Sequence, residues 1–218
     1  MPEQSATNAT VTLDADHRYW AEKKGRRWEV PGVTFLLDWK FGKNPWFKPG
    51  SAHRGSMVHR ACTLDDQGIL DQKTVAPELE GYLDAWRLFK MEKGVKIEQL
   101  EYICYDLTLG YAGTADRLVY WNYGPRPCVV DIKSGAKTDR HWLQVGGYVR
   151  GTPPELGFVW REVDGLIVYV KPNGKYTLDF YKGPRVLEAV RLWEKIPREY
   201  AARDSKIDWG EETGNGNQ

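Results

Sequence analysis

Two aspartates and a lysine stand at spacings that suit phosphate chemistry. Asp131 and Lys133 are two residues apart in an apolar, β-rich segment, so on a strand they share one face while Ile132 points to the opposite, buried side. Asp116 and Asp131 are equidistant from the Tyr123–Gly124 bond, and a symmetric hairpin would place them directly opposite one another, with β-carbons about 5 Å apart. Two ionised carboxylates in register repel each other unless a cation lies between them.

A divalent cation would relieve that repulsion. Mg²⁺ is the expected ion, with Mn²⁺ as a substitute, because carboxylates are hard oxygen ligands that leave room for water and substrate phosphate. Such an ion lowers the pKa of a bound water and neutralises charge that develops on a phosphodiester. Lys133 would compensate charge and orient or deprotonate the attacking water. The alternative is a surface hairpin in which Asp131 and Lys133 form a salt bridge worth at most ~1 kcal/mol.

Three further side chains favour the metal hypothesis. His59 falls on a predicted helix before the strands, where its imidazole can supply a third metal ligand. Gln144 and Tyr148 are four residues apart on a later predicted helix, so they share a face and can hydrogen-bond the lysine, a water or a phosphate. Taken singly, each of these residues is more commonly an ordinary helical side chain.

The elements that must position these residues follow from hydrophobic periodicity and turn signals. Helical spacing alternates with β-rich segments, which indicates an α/β protein with helices around a central mixed sheet. The strongest short turn signal is Asn173-Gly174. The predicted helices are residues 50–68, with Met57, Ala61 and Leu64 along one side, 77–93, with Leu79, Tyr82, Leu83, Trp86 and Phe89 at helical spacing, 139–150, with Asp139 as its cap, and 184–202. The predicted strands are 99–109, 114–121 and 128–132, and the predicted hairpins are 17–30, turning at Lys24-Gly25, and 166–181.

Composition indicates one globular domain. The chain has 218 residues, 31 basic and 30 acidic side chains, and 41% hydrophobic residues, which excludes intrinsic disorder as its main state. We expect a folded unit over residues 13–209, with flexible tails at 1–12 and 210–218. No stretch approaches a membrane span and the first residues are unlike a secretory signal, so we expect a cytoplasmic protein. Cys62, Cys104 and Cys128 are scattered, as reduced core residues would be.

Four segments, in order, carry a resemblance to a known family: Arg54-Gly-Ser-Met-Val-His59, Gly110-Tyr-Ala-Gly-Thr-Ala-Asp116, Val130-Asp-Ile-Lys-Ser-Gly135 and Gln144-x-x-x-Tyr148. Together they resemble the RecB-like branch of the PD-(D/E)xK nuclease superfamily, particularly compact phage-type exonucleases, over residues 31–150. The resemblance implies an αβββαβ core and a protein that works in a bacterial or a phage-infected host cell. It also implies that His59, Asp116, Asp131 and the Ile132 carbonyl hold the metal, that Lys133 is catalytic, and that Gln144 and Tyr148 support it.

The resemblance adds two finer expectations. Glu101 occupies the place of an acid often found at the start of the first core strand of that family. Relatives with an iron–sulfur cluster use four cysteines, and this chain has three in unsuitable places, so we expect no cluster.

We therefore predict a Mg²⁺-dependent deoxyribonuclease, an exonuclease acting on a DNA strand end in recombination or DNA processing. The alternatives are a catalytically inactive DNA-binding or assembly protein on the same fold, a metal-dependent endonuclease, and a hydrolase of another phosphoester. A recombination partner protein or a second copy of the chain is a further expected partner. The candidate phosphate contacts are Arg54, Arg60, Lys137 and Arg140, with Lys40, Lys43 and Lys48 as weaker ones, and the candidate stacking residues are Trp39, Trp46, Phe47 and Trp142.

Overall fold

The order of helices and strands follows the change of hydrophobic period along the chain. The computed structural model describes residues 9–43, 49–122 and 124–203. The elements are β1 (Ala9–Leu13), β2 (Tyr19–Lys23), β3 (Arg26–Val30), α1 (Val33–Phe41), α2 (Pro49–Asp66), α3 (Pro77–Lys93), β4 (Lys96–Asp106), β5 (Tyr111–Trp121), β6 (Gly124–Lys133), α4 (Asp139–Arg150), β7 (Asp164–Val170), β8 (Tyr176–Tyr181) and α5 (Pro184–Arg203).

The central sheet has five strands in the order β4-β5-β6-β7-β8. Neighbours in β4, β5 and β6 run antiparallel, because short turns connect them. Strand β7 lies parallel to β6, since α4 carries the chain back across the sheet, and β8 returns antiparallel. The run α3-β4-β5-β6-α4-β7 is the predicted αβββαβ arrangement, and the predicted mixed α/β fold class is confirmed.

Two hydrophobic cores sandwich the sheet. On one face α1, α4 and α5 pack with residues such as Val145 and Trp193, and on the other face α3 packs with Trp86 against Ile132. Every residue of β7 is buried, as expected for a central strand covered on both faces. Fully burying one such apolar side chain stabilises the fold by about 1.5–3 kcal/mol. The sheet is therefore a rigid platform for the side chains at the ends of β5 and β6.

Helix α3 shows why the local sequence signals succeed. Pro77 occupies its first turn, where a missing N–H costs nothing, and Gly94 ends the helix in the left-handed conformation with φ 56°. The five apolar residues predicted to form its inner face are all buried: Leu79, Tyr82, Leu83, Trp86 and Phe89.

The structure corrects three details of the sequence prediction. Residues 9–12, assigned to a flexible tail, belong to β1, because their backbone pairs antiparallel with β2. Asp139 was expected to cap α4, but Thr138 has the extended N-cap conformation and Asp139 is the first helical residue. Helix α2 buries Val58 on its inner face, whereas Met57, predicted to lie inward, is 38% exposed.

Some expectations fall on other parts of the chain. Residues 1–8 of the predicted N-terminal tail, residues 204–209 of the predicted folded unit and the whole predicted C-terminal tail lie outside the described residues, as do Trp46, Phe47 and Lys48. Within residues 9–43, 49–122 and 124–203, no helix has both the length and the apolar character needed to cross a bilayer.

Candidate active site

Strands β5 and β6 bring the two aspartates to the same end of the sheet. Their pairing runs through Leu118 with Val129 and Arg117 with Val130, so Asp116 and Asp131 occupy the next matched positions. This register agrees with the symmetric pairing expected from the sequence. One step further, the Ile132 amide donates a hydrogen bond of 2.7 Å to Asp116 Oδ2. The carboxylate of Asp116 thus extends the ladder between the two strands.

The four polar residues at this point form two pairs. The Lys133 ammonium lies 2.9 Å from Asp131 Oδ1 and 2.7 Å from Asp131 Oδ2. His59, reaching from α2, places its Nδ1 3.3 Å from Asp116 Oδ1. Asp131 is almost completely buried, while the side chains of Asp116, His59 and Lys133 keep partial exposure. The site therefore has a buried carboxylate at its back and three groups that solvent reaches.

Burial and charge shift the pKa values of these groups in different directions. For Asp131, burial raises the pKa above its usual value, and the nearby Asp116 adds to that rise against the opposing effect of Lys133. For Asp116, burial also acts upwards, but His59 and Lys133 outweigh it and hold the pKa below its usual value. Burial alone would lower the pKa of His59, yet the Asp116 carboxylate raises it overall. The two neighbouring aspartates therefore have pKa values shifted in opposite directions, that of Asp131 upwards and that of Asp116 downwards.

Helix α4 supplies a second wall. The Gln144 amide Nε2 donates a 2.8 Å hydrogen bond to the Tyr148 hydroxyl, so these residues do share a helix face. Tyr148 is buried, and its burial, with the charges of Asp131 and Asp116, keeps the pKa of its phenol well above the usual range. The hydroxyl is therefore a neutral hydrogen-bonding group near both carboxylates.

Sequence reasoning missed His141 and Tyr169. His141 lies one turn before Gln144 on α4, and its Nδ1 is 3.1 Å from the hydroxyl of Tyr169 on β7. Burial, reinforced by the charge of Lys133, lowers the pKa of His141 to about 4. The spacing of His141 and Gln144, three residues apart on one helix, was the signal available in the sequence.

A cavity of about 730 Å³ opens beside α2. Its lining includes His59, Arg60, Thr63 and Glu101. Glu101 has the left-handed φ of 46°, uncommon for a residue with a side chain, and its Oε1 accepts a 2.7 Å hydrogen bond from the Thr63 hydroxyl. The exposed Glu101 carboxylate therefore lies on the α2 side of the sheet, in the same cavity as His59.

The four main phosphate-contact candidates occupy different surroundings. Arg60 lines the α2 cavity. Arg54 lies 6.0 Å from the Tyr82 ring on α3, and its Nε is buried without a hydrogen bond to any described residue. Lys137 pairs with Asp179 at 2.7 Å, and Arg140 contacts Asp38 at 3.4 Å and donates to the Phe41 carbonyl at 2.9 Å. The stacking candidates Trp39 and Trp142 pack on Tyr200 and Tyr181, respectively.

An ionic network that the sequence did not predict lies behind Asp116. Arg117 is fully buried, and its guanidinium bonds to Asp66 at 2.8 Å and to the Thr63 hydroxyl at 3.0 Å. Asp66 also accepts from the Trp86 indole at 2.9 Å and from Lys90. The network joins α2, which carries His59, to β5, which carries Asp116.

The donor set fits a hard divalent cation in its chemistry. Asp131 Oδ2 is buried and has no hydrogen bond to the described part of the chain, despite its closeness to the Lys133 ammonium. Carboxylate oxygens and an imidazole are suitable ligands. In residues 9–43, 49–122 and 124–203, however, no three His, Cys, Asp or Glu side chains are grouped as a metal site. The donors are engaged with one another instead: His59 with Asp116, and Asp131 with Lys133.

Comparisons with known proteins found no matching family model and no matching curated protein. Among solved structures, the chain is similar to a protein named as a candidate exonuclease from Eubacterium rectale, with 12% identity, a TM-score of 0.48, and coverage of 82% of this chain and 83% of that one. An alkaline exonuclease from Laribacter hongkongensis is 14% identical, with a TM-score of 0.38 and coverage of 81% and 93%. The structure of that exonuclease in complex with dAMP is 12% identical, with a TM-score of 0.39 and coverage of 82% of this chain and 95% of that one.

Proposed function

We propose that this chain is a Mg²⁺-dependent deoxyribonuclease of the RecB-like PD-(D/E)xK type, an exonuclease that acts on DNA ends in recombination or DNA processing. One observation carries the proposal: Asp116 and Asp131 meet from neighbouring strands, with Lys133 and His59 each within 3.3 Å of one of the two carboxylates. Two carboxylates on neighbouring matched positions repel each other unless a positive charge offsets them. Their oxygens would suit a hard divalent cation.

Each residue has a defined role in the proposal. His59, Asp116, Asp131 and the Ile132 carbonyl would hold the ion, which supplies an acidified water and neutralises charge on the phosphate. Lys133 opposes the rise that burial causes in the pKa of Asp131, and its ammonium would orient the attacking water. Gln144 and the neutral Tyr148 hydroxyl offer hydrogen bonds beside it.

The surroundings of the basic side chains rank them as phosphate contacts. Arg60 is the leading contact, because it lines the cavity that also contains His59. Arg54, Lys137 and Arg140 are weaker proposals, since each is packed or paired elsewhere. Glu101 is proposed as an additional acid of the site, held in the cavity by Thr63.

The decisive test is cleavage of end-labelled linear DNA and closed circular DNA with Mg²⁺ or Mn²⁺. Wild type should shorten the linear DNA from its ends, and Asp131→Asn should lose this activity. Lys133→Met should lower the single-turnover rate by about 10²- to 10⁴-fold, the usual contribution of a positioned acid or base. Asp84→Asn makes the same chemical change at an exposed position on α3 and should cleave like wild type. Equal activity of wild type and Asp131→Asn would contradict the proposal.

One observation favours a second candidate, a DNA-binding or assembly protein with an inactive site. The expected ligands are paired with one another, and no group of three is assembled in the described segments. Titration of Mn²⁺ by calorimetry separates the two functions. A nuclease should bind Mn²⁺ in a way that Asp116→Asn abolishes, whereas the second candidate should bind linear DNA without Mn²⁺ binding or cleavage. Cutting of the closed circle would instead indicate an endonuclease, and hydrolysis of free nucleotides alone another phosphoesterase.

A further inference from the structure

A second cavity, of about 570 Å³, lies between the β2–β3 hairpin, the start of α1 and β5. We call it the hairpin cavity. Its volume falls within the range of about 300–1,000 Å³ that small-molecule sites occupy. The side chains that carry the argument are Tyr19, Val33, Phe35, Thr114, Tyr148 and Tyr200.

The hairpin cavity shares a wall with the proposed active site. Tyr148 lines it, and the hydroxyl of the same residue accepts the hydrogen bond from Gln144. Thr114 also lines it and precedes Asp116 by two residues on β5. A ligand held in this cavity would therefore contact Tyr148 of α4 and Thr114 of β5, whereas Arg60 and Glu101 border the α2 cavity.

Several of the side chains that line the hairpin cavity pack closely against β5. The hydroxyls of Tyr19 and Thr114 are 3.0 Å apart and form a hydrogen bond. A Cβ at Gly113 would lie 2.9 Å from Tyr148 Cε1 and 2.9 Å from Val33 Cγ2, so only glycine lets β5 approach both side chains this closely. The rings of Tyr19 and Tyr148 are thus held in place before a ligand arrives.

The chemistry of the hairpin cavity suits a flat, uncharged ligand. Phe35 is 52% exposed, unusual for a large apolar side chain, and the Tyr200 ring stands edge-on to it at 5.7 Å. Two of the side chains that line the cavity are Arg18, which already pairs with Asp14 at 3.3 Å and Asp16 at 3.0 Å, and the acidic Glu29. A phosphate would find little net positive charge there, whereas an aromatic base can stack on an exposed ring.

We propose that the hairpin cavity binds the unpaired base of the nucleotide at a DNA strand end, stacked on Phe35. The proposal rests on the proposed function, because it places that nucleotide against Tyr148, a residue of the proposed active site. In this proposal the β2–β3 hairpin and α1 recognise a strand end. A base inside a continuous duplex could enter the cavity only after unpairing.

The test measures binding without catalysis, by fluorescence anisotropy in EDTA. The probes are internally labelled single-stranded oligonucleotides with intact ends or with an abasic residue at the 5′ or the 3′ terminus. For wild type, one abasic end should weaken binding roughly 5- to 150-fold, the equivalent of one stacked base. Phe35→Ala should bind all three probes alike, and Phe35→Trp should restore the discrimination.

Phe41→Ala is the matched control. Phe41 lies on the same helix and is 47% exposed, but it packs under the Arg140 guanidinium, 5.6 Å away, so this variant should discriminate as wild type does. Equal binding of the three probes by wild type would overturn the inference while leaving the nuclease proposal intact. If Phe35→Ala bound every probe more weakly by the same factor and still discriminated between intact and abasic ends, the inference would also be overturned. Failure of wild type to bind any DNA would overturn the proposed function and this inference together.

Discussion

The guanidinium of Arg117 donates a 2.7 Å hydrogen bond from Nη1 to the backbone carbonyl of Asp116, its own neighbour in the chain. Its other nitrogens bond to Asp66 and Thr63 of α2. One buried cation therefore fixes the backbone of Asp116 and anchors the helix that carries His59. Arg117 thus links the two elements that bring His59 and Asp116 together.

Replacement of Arg117 should destabilise the fold strongly. Arg117→Met would leave the Asp66 carboxylate, whose side chain is 0% exposed, with one cationic partner fewer in the core. Breaking a buried ion pair on one side costs roughly 3–5 kcal/mol. Urea unfolding should show that loss, and the double variant with Asp66→Leu should recover part of it.

The exposed pair of Lys96 and Glu98 provides the comparison. Their charged atoms are 2.6 Å apart, but the Lys96 side chain is 77% exposed, so water screens the attraction. Lys96→Ala should leave the urea midpoint unchanged. If Arg117→Met were as mild as Lys96→Ala, the buried network would not be what holds α2 against β5.

Tyr148→Phe should separate activity from stability. It removes the hydroxyl that accepts the Gln144 hydrogen bond but keeps the ring that fills the space beside Gly113. We expect a loss of about 0.5–1.5 kcal/mol in the free energy of unfolding, the usual net value of one hydrogen bond. The single-turnover cleavage rate should fall by about tenfold, the effect of losing about 1.4 kcal/mol of transition-state stabilisation from a hydroxyl that senses the charges of both carboxylates. Unchanged cleavage would remove Tyr148 from the proposed site.

Local signals were sufficient for most of the fold. The turn at Lys24-Gly25, where both residues have positive φ, and the turn at Gly174, with φ 76°, depend on a few adjacent residues. Helix α3 depends on its own apolar spacing and its terminal residues. Strand β1 has no comparable signal, because its stability comes from backbone pairing with β2. It was therefore assigned to a tail.

The candidate site divides in the same way. The shared face of Asp131 and Lys133 follows from strand alternation, and it was predictable. The contact of His59 with Asp116 joins a helix to a strand across 57 positions of sequence, and Arg117 reaches Asp66 across a similar gap. A charged residue in a strand suggests a solvent-exposed face. The burial of Arg117 is therefore visible only in the tertiary structure. The direction of the Glu101 side chain depends on the positive φ of that residue, and no sequence pattern predicts a positive φ there.

Gly81 should tolerate no side chain. A Cβ there would lie 1.8 Å from the Pro172 carbonyl oxygen in the β7–β8 turn, and backbone cannot move aside as a flexible side chain can. Gly81→Ala should lower the free energy of unfolding by roughly 1–3 kcal/mol through overpacking. Gly55→Ala is the control, because its Cβ would meet Ser134 Oγ at an ordinary 3.9 Å. That variant should be up to ~1 kcal/mol more stable, since alanine favours a helix interior. A similar effect of the two changes would mean that α3 and this turn are not in close contact.

His141 should make the stability of the protein depend on pH. Burial, with the charge of Lys133, lowers the pKa of His141 from 6.5 to about 4, so the folded state keeps the imidazole neutral. Above pH 6.5 the imidazole is neutral in both states and contributes no pH dependence. Between pH 6.5 and about 4, the unfolded chain binds a proton that the folded chain does not, so the free energy of unfolding falls as the pH falls. In urea unfolding at a series of pH values, His141→Gln should lose less stability over this window than wild type. Parallel curves for the two proteins would show that His141 is accessible enough to be protonated in the folded state.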